Sequence, residues 1–186
     1  ISSAGSFVNK FESDISSYTG ADHAIACMNG TVGLQTSLNL IESSPEDLVL
    51  TTNLTFVATL NSISYVGLRP ILFDIDSSTW QMDLNLVENW LEKFTVLRET
   101  PSGFASFTES NNKIAAILPV HVLGGFGDVK KLLKISKKFH IPIIEDSTEA
   151  LGSTYKGKHA GTFGRLGVFS FNGNKIISTG GGGMIV

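Results

Sequence analysis

The chain has 186 residues, 42% of them hydrophobic, with 14 basic and 17 acidic side chains and a formal charge of −3. That length allows one large domain or one and a half, and the charge balance offers no electrostatic case for nucleic-acid binding. A single cysteine, Cys27, rules out an internal disulfide framework and cannot by itself make a cysteine-rich metal site; no apolar run is long enough to span a bilayer. Without a visible signal peptide, the expected compartment is the cytoplasm.

In chain order, Phe7, Val8, Phe11 and Ile15 recur at helical spacing within Ser2–Tyr18, and Thr19-Gly20 closes the helix. His23–Met28 is a short apolar run followed by the turn Asn29-Gly30-Thr31, and Val32–Ile41 has helical spacing again. Leu48–Leu50 reads as a strand, Asn53–Tyr65 as a helix opening on Thr55-Phe56, and Pro70–Ile75 as a strand. Asp83–Phe94 is an amphipathic helix, and the polar stretch Glu99–Asn112, with Pro101 and Gly103, reads as a surface loop. Ile114–Leu118 is continuously apolar, as a strand covered on both faces must be. The glycine-rich turn Pro119–Gly127 follows, then a helix over Asp128–Phe139 with Asp128 as N-cap and lysines late. Pro142–Ile144, Leu166–Phe171 and Gly183–Val186 are the last strands, and Ser147–Lys158 is turn-rich. The chain lacks an initiating Met and stops inside an apolar segment, so it reads as a piece of a longer protein.

Strands alternating with helices predict an α/β fold, a mostly parallel sheet of about seven strands with helices on both faces. Ligands in such sheets sit beyond the carboxyl ends of the strands. Gly30-Thr31, His121, Asp146 and Lys175 all lie in turns just after predicted strands, far apart in sequence but expected at one edge.

Each has a plain reading beside a functional one. Asn29-Gly30-Thr31 opens a helix, whose free N–H groups favour phosphate or merely need a cap. Asp146 could pair with a cationic ring nitrogen, bind a metal or cap a turn; no cluster with ligand spacing accompanies it. Glu149 faces the same ligand or solvent, Phe56 stacks on a flat group or packs in the core, and His121 bonds a ligand or is structural. Lys175 sits between buried-looking segments and ahead of a glycine run, where a desolvated amine suits chemistry with a carbonyl. Cys27 lies in an apolar run and reads as a buried thiol. Gly125-Phe126-Gly127 has Lys130 where a dinucleotide site needs its third glycine, and there is no P-loop and no nucleophile elbow.

Taken together, Asn29-Gly30-Thr31, Thr55-Phe56-Val57-Ala58-Thr59, Pro119-Val120-His121, Glu145 to Gly152, and Phe169 to Lys175 with Gly180–Gly183 resemble the DegT/StrS family of sugar aminotransferases along the whole chain. The wording around Lys175, with Ser2-Ser3-Ala4-Gly5 near the start, is most similar to the legionaminic-acid-type branch acting on UDP-linked 4-keto-6-deoxy sugars.

The resemblance implies the large domain of a fold type I enzyme over residues 1–186, with a C-terminal small domain missing. It implies pyridoxal 5′-phosphate as cofactor and no metal. Lys175 would be the catalytic residue, bonded covalently to the cofactor aldehyde. Gly30 and Thr31, helped by Ser170, would hold the phosphate, Phe56 would stack on the ring, and Asp146 would pair with the ring nitrogen. Glu149 would lie near the ring hydroxyl, where many members carry Gln or His. The implied reaction moves an amino group from glutamate to a nucleotide-linked 4-keto-6-deoxy sugar, for bacterial surface-glycan synthesis. The implied assembly is a homodimer with a shared active site, with no nucleic acid or membrane partner. The alternatives are a 3-keto-sugar aminotransferase and a non-catalytic cofactor-binding regulatory relative.

Overall fold

A computed structural model describes residues 5–186. Ser2-Ser3-Ala4 of the amino-terminal motif and the start of the first predicted helix lie outside the described residues.

The chain runs α1 (Ser6–Thr19), β1 (Ile25–Cys27), α2 (Gly30–Asn39), β2 (Leu48–Thr52), α3 (Val57–Tyr65), β3 (Arg69–Phe73) and α4 (Leu84–Phe94). It continues through β4 (Thr95–Thr100), β5 (Gly103–Thr108), β6 (Ile114–Ile117), a single 3-10 turn (Val122–Gly124) and α5 (Val129–Phe139). The last elements are β7 (Ile144–Asp146), β8 (Thr154–Tyr155), β9 (Lys158–His159), β10 (Leu166–Ser170) and β11 (Gly183–Ile185).

Local chemistry sets the helix ends. Gly20 takes the left-handed conformation that ends α1 (φ 72°) and returns its N–H to Ser16. Asp83 caps α4 by accepting the Asn85 N–H at 2.8 Å, and Asp128 caps α5 by accepting the Lys131 N–H at 2.9 Å. Among the described residues no helix is long and apolar enough to cross a membrane.

The fold is α/β, but the expected single parallel sheet is more divided. β3-β2-β6 form a parallel three-stranded sheet, and β1-β11-β10-β7 a mixed four-stranded one in which β11 is antiparallel to both neighbours. Only isolated parallel bridges, Ile117 to Ile143 and Val120 to Asp146, join β6 to β7. Proline explains the seam. Ile117 donates to Pro142 O and His121 to Asp146 O, and the residue between them that would donate the next rung is Pro119, which has no N–H.

A second correction concerns Glu99–Asn112. This stretch belongs to an antiparallel hairpin, β4 with β5, and Pro101 and Gly103 (φ 119°) mark its turn. The hairpin is anchored through β5, where Ala105 and Ser106 are buried and Ser106 donates to Phe139 O.

Helices cover both faces, as expected. Leu48 and Leu50 of β2 point into a cluster with Val87 and Leu91 of α4 and Leu132, Ile135 and Phe139 of α5. Val49, between them, points the other way, toward Leu34 and Leu38 of α2 and Ile63 of α3. Each such buried aliphatic side chain contributes about 1.5–3 kcal/mol. In β10 the same alternation sends Phe169 toward Ile15 of α1 and Val168 toward α2, which leaves Ser170 on the α2 side.

Candidate active site

At the carboxyl ends of β7 and β10, next to the amino ends of α2 and α3, lies a cleft of about 320 Å³. Gly30, Thr31, Phe56, Asp146, Glu149, Ser170 and Lys175 all line it. Residues separated by up to 145 positions thus meet, because parallel strands end at one edge of the sheet.

One wall is the first turn of α2. Asn29 closes it: its side chain accepts the Val32 N–H at 2.9 Å and its carbonyl the Gly33 N–H at 3.0 Å. The N–H groups of Gly30 and Thr31 keep no protein acceptor among the described residues, which makes the turn receptive to an anion. Gly30 allows a close approach here: a Cβ would stand 2.9 Å from Thr148 Cγ2 and 3.1 Å from Ser170 Cβ. Gly183 holds the turn from behind, since it pairs with both Cys27 and Ser170, and a Cβ on it would meet the Asn29 backbone at 2.5 Å. Beneath this turn, burial pushes the Cys27 thiol above its ordinary pKa.

The floor is Asp146, 3% exposed at the end of β7. Thr59 Oγ1 donates to its Oδ2 at 2.7 Å, and the Thr148 N–H reaches its Oδ1 at 3.2 Å. No cation pairs with this carboxylate among the described residues, although unpaired buried charge is costly. The arrangement suits a cationic group entering the cleft.

The opposite wall carries Lys175 and Glu149. Lys175 Nζ lies 3.7 Å from Glu149 Oε1, with the lysine side chain 14% and the glutamate 39% exposed. Glu149 Oε2 accepts the Leu123 N–H at 2.9 Å. Phe56 stands at the start of α3, exposed at the cleft rather than buried in the core.

His121 is not part of the cleft. Its Nε2 lies 2.8 Å from Oε2 of fully buried Glu145, whose carboxylate also accepts the N–H groups of Gly161, Phe163 and Gly164. The pair clamps the loop before β10 to β7, so the plain reading of His121 is the one the structure supports. Asn29, Thr59, Thr148, Asn172 and Asn174 also line the cleft; the sequence motifs contain them, but sequence reasoning gave none of them a role toward a ligand. Thr55 and Thr59 carried a legible signal, because hydroxyls four residues apart share one helix face.

The site therefore combines an anion-receptive helix start, a buried carboxylate without a cation, a shielded amine and an exposed ring. GDP-perosamine synthase of Caulobacter vibrioides is 39% identical over 185 residues, covering 100% of this chain and 45% of that protein. DesI, solved with its TDP-sugar product, superposes with a TM-score of 0.79 at 27% identity, over 98% of this chain and 41% of that one. Spr1654 of Streptococcus pneumoniae, solved in a PLP form, gives 0.81 at 28% identity, over 98% and 46%. The chain thus spans just under half the length of these relatives. With residues 1–186 matched throughout, the chain belongs to the DegT/DnrJ/EryC1/StrS aminotransferase family.

Proposed function

We propose that this chain is the cofactor-holding large domain of a pyridoxal-phosphate aminotransferase that transfers an amino group from glutamate to a nucleotide-linked 4-keto-6-deoxy sugar. The observation that carries the reading is the convergence of a buried, cation-free carboxylate, a shielded lysine amine and an open helix start in one cleft. The family's relatives and PLP-bearing structural neighbours support it.

The residues present fit the cofactor. Gly30 and Thr31 N–H groups, with the Ser170 hydroxyl beside them, would hold its phosphate. Phe56 would cover the ring face, and Asp146 would face the ring nitrogen and keep it protonated. When bound, pyridoxal phosphate supplies an electron sink for charge at the substrate's α-carbon.

Lys175 is both the anchor and the proton carrier in this reading. Its Nζ would take the proton from the α-carbon of the amino donor and return it to the carbon at the other end of the C–N link, two bonds away; with the keto sugar it would run the transfer in reverse. Glu149, pinned by the Leu123 N–H, keeps a carboxylate within 3.7 Å of that amine and steadies its position. Nucleotide-sugar binding fits relatives that make GDP-perosamine or hold a TDP-sugar product. Exposed Met28, Phe56, Ile176 and Ile177 flank or line the cleft and would suit a homodimer partner that completes the site.

The test is the visible absorbance of the full-length protein with pyridoxal phosphate, before and after glutamate, beside Lys175→Ala. A yellow band that glutamate bleaches, and that the variant never forms, supports the reading; no band in the unaltered protein rejects it. Supplying 3-keto and 4-keto nucleotide sugars to the aminated enzyme then separates the two regiochemistries.

A further inference from the structure

Asp146 is the most buried charged side chain lining the cleft, and its strongest hydrogen bond comes from a residue with no assigned role. Thr59 is 1% exposed, in the first turn of α3, and its Oγ1 lies 2.7 Å from Asp146 Oδ2. A hydroxyl has one proton, and a carboxylate only accepts, so the Thr59 proton belongs to Asp146. Thr55 Oγ1 lies 2.7 Å from Thr59 Oγ1. With the Thr59 proton committed, the shorter contact gives the Thr55 proton to Thr59 rather than to Phe56 O at 3.4 Å. The direction of the whole relay, Thr55 to Thr59 to Asp146, follows from the chemistry of its end.

The relay has two consequences. The relay aims the Thr59 proton at Asp146 Oδ2, and a hydrogen bond to a carboxylate is short and directional. It also fixes the carboxylate from the α3 side while the Thr148 N–H holds the other oxygen, which sets how the group presents to the cleft. The other ionisable groups near Asp146 are placed otherwise. Glu145 points into the clamp with His121, and Glu149 and Lys175 pair with each other on the opposite wall.

We propose that Thr59 is a positioning residue that acts through Asp146, with Thr55 orienting its proton, so that the carboxylate is aimed at the cofactor's ring nitrogen. This rests on the reading of Asp146 as the ring-nitrogen partner. Sequence spacing makes the device: positions 55 and 59 bring two hydroxyls together at the start of α3, and β7 brings Asp146 beneath them.

The experiment loads the full-length protein, as Thr59→Val, Thr59→Ser, Thr55→Val and Asp146→Asn, with pyridoxal phosphate labelled with ¹⁵N in the ring. It reads the ring-nitrogen chemical shift and the cofactor dissociation constant. Thr59→Val is expected to move the shift toward that of the unprotonated ring and to weaken binding by about tenfold, the effect of one hydrogen bond to a charged group. Thr59→Ser restores both, and Thr55→Val, at the more exposed end of the relay, moves both the same way by less. A merely structural Thr59 would change the affinity and leave the nitrogen shift alone; that result overturns the proposal, as does a Thr59→Ser that fails to rescue. If Thr59→Val does not fold, the nitrogen shift of Thr55→Val decides alone: displaced supports the relay, unmoved overturns it. Asp146→Asn keeps the two readings apart. Should it leave the nitrogen shift unmoved, the Asp146 assignment fails; should it move the shift while Thr59→Val does not, only the Thr59 inference fails.

Discussion

Glu149 bridges Lys175 to the backbone of Leu123. One carboxylate oxygen stands 3.7 Å from the lysine ammonium and the other accepts the Leu123 N–H at 2.9 Å. Leu123 adopts a left-handed conformation (φ 53°) that bulky side chains rarely take. The turn between β6 and α5 therefore holds the position of a residue at the heart of the cleft, although Leu123 itself points into solvent.

Lys175→Ala should abolish transamination and leave the fold intact, since the lysine lines the cleft, in the segment between β10 and β11. Circular dichroism and a glutamate-dependent absorbance assay check the two halves. Full turnover in the variant would remove Lys175 from the mechanism.

Asp146→Asn keeps the shape and a hydrogen-bond acceptor for Thr59 but loses the charge. The rate of proton removal from the amino donor should fall by roughly a hundredfold, with a smaller loss of cofactor affinity. Single-turnover kinetics with glutamate and a cofactor titration measure these separately. An unchanged rate with unchanged affinity would refute the ring-nitrogen assignment.

Gly30→Ala tests the closeness of α2 to β10. The added methyl meets Thr148 and Ser170 at 2.9 and 3.1 Å, so α2 must shift, at a cost of about 1–3 kcal/mol. Urea denaturation should show that loss. Cofactor affinity should fall further than stability alone accounts for, because the displaced turn carries the N–H groups that face the phosphate.

Cys27 gives a pH signature. Burial raises its pKa in the folded protein, so the folded state holds the thiol proton more tightly than the unfolded chain does. Its contribution to stability is complete below the ordinary thiol pKa of about 8.5 and is lost as pH rises through the higher folded value. Alkylation by iodoacetamide should accordingly be slow at pH 8 and accelerate only at more alkaline pH. The stability of Cys27→Ala should fall less than that of the unaltered protein over the same range. Rapid modification at pH 8 in the folded protein would contradict this.

Much of the molecule was written locally. Caps at Asp83 and Asp128 and the glycine at position 20 end or begin helices through bonds to neighbours a few residues away, and apolar spacing declares which face each helix buries. The order of turns at strand ends was likewise enough to expect Gly30, Thr31, Asp146 and Lys175 at one edge; the motif resemblance added Phe56, Glu149 and Ser170, whereas His121, expected beside them, turns inward to Glu145. Tertiary structure decided what depends on pairs distant in sequence. The reversed direction of β11, the hairpin made from a stretch that reads as loop, and the proline-interrupted seam between β6 and β7 follow from which strand lies next to which. So do the fates of two neighbouring carboxylates: β7 alternates, sending Glu145 to His121 in the interior and Asp146 to Thr59 at the cleft. Local periodicity says that two adjacent strand residues face opposite ways, but only the packed neighbours decide which face becomes the site.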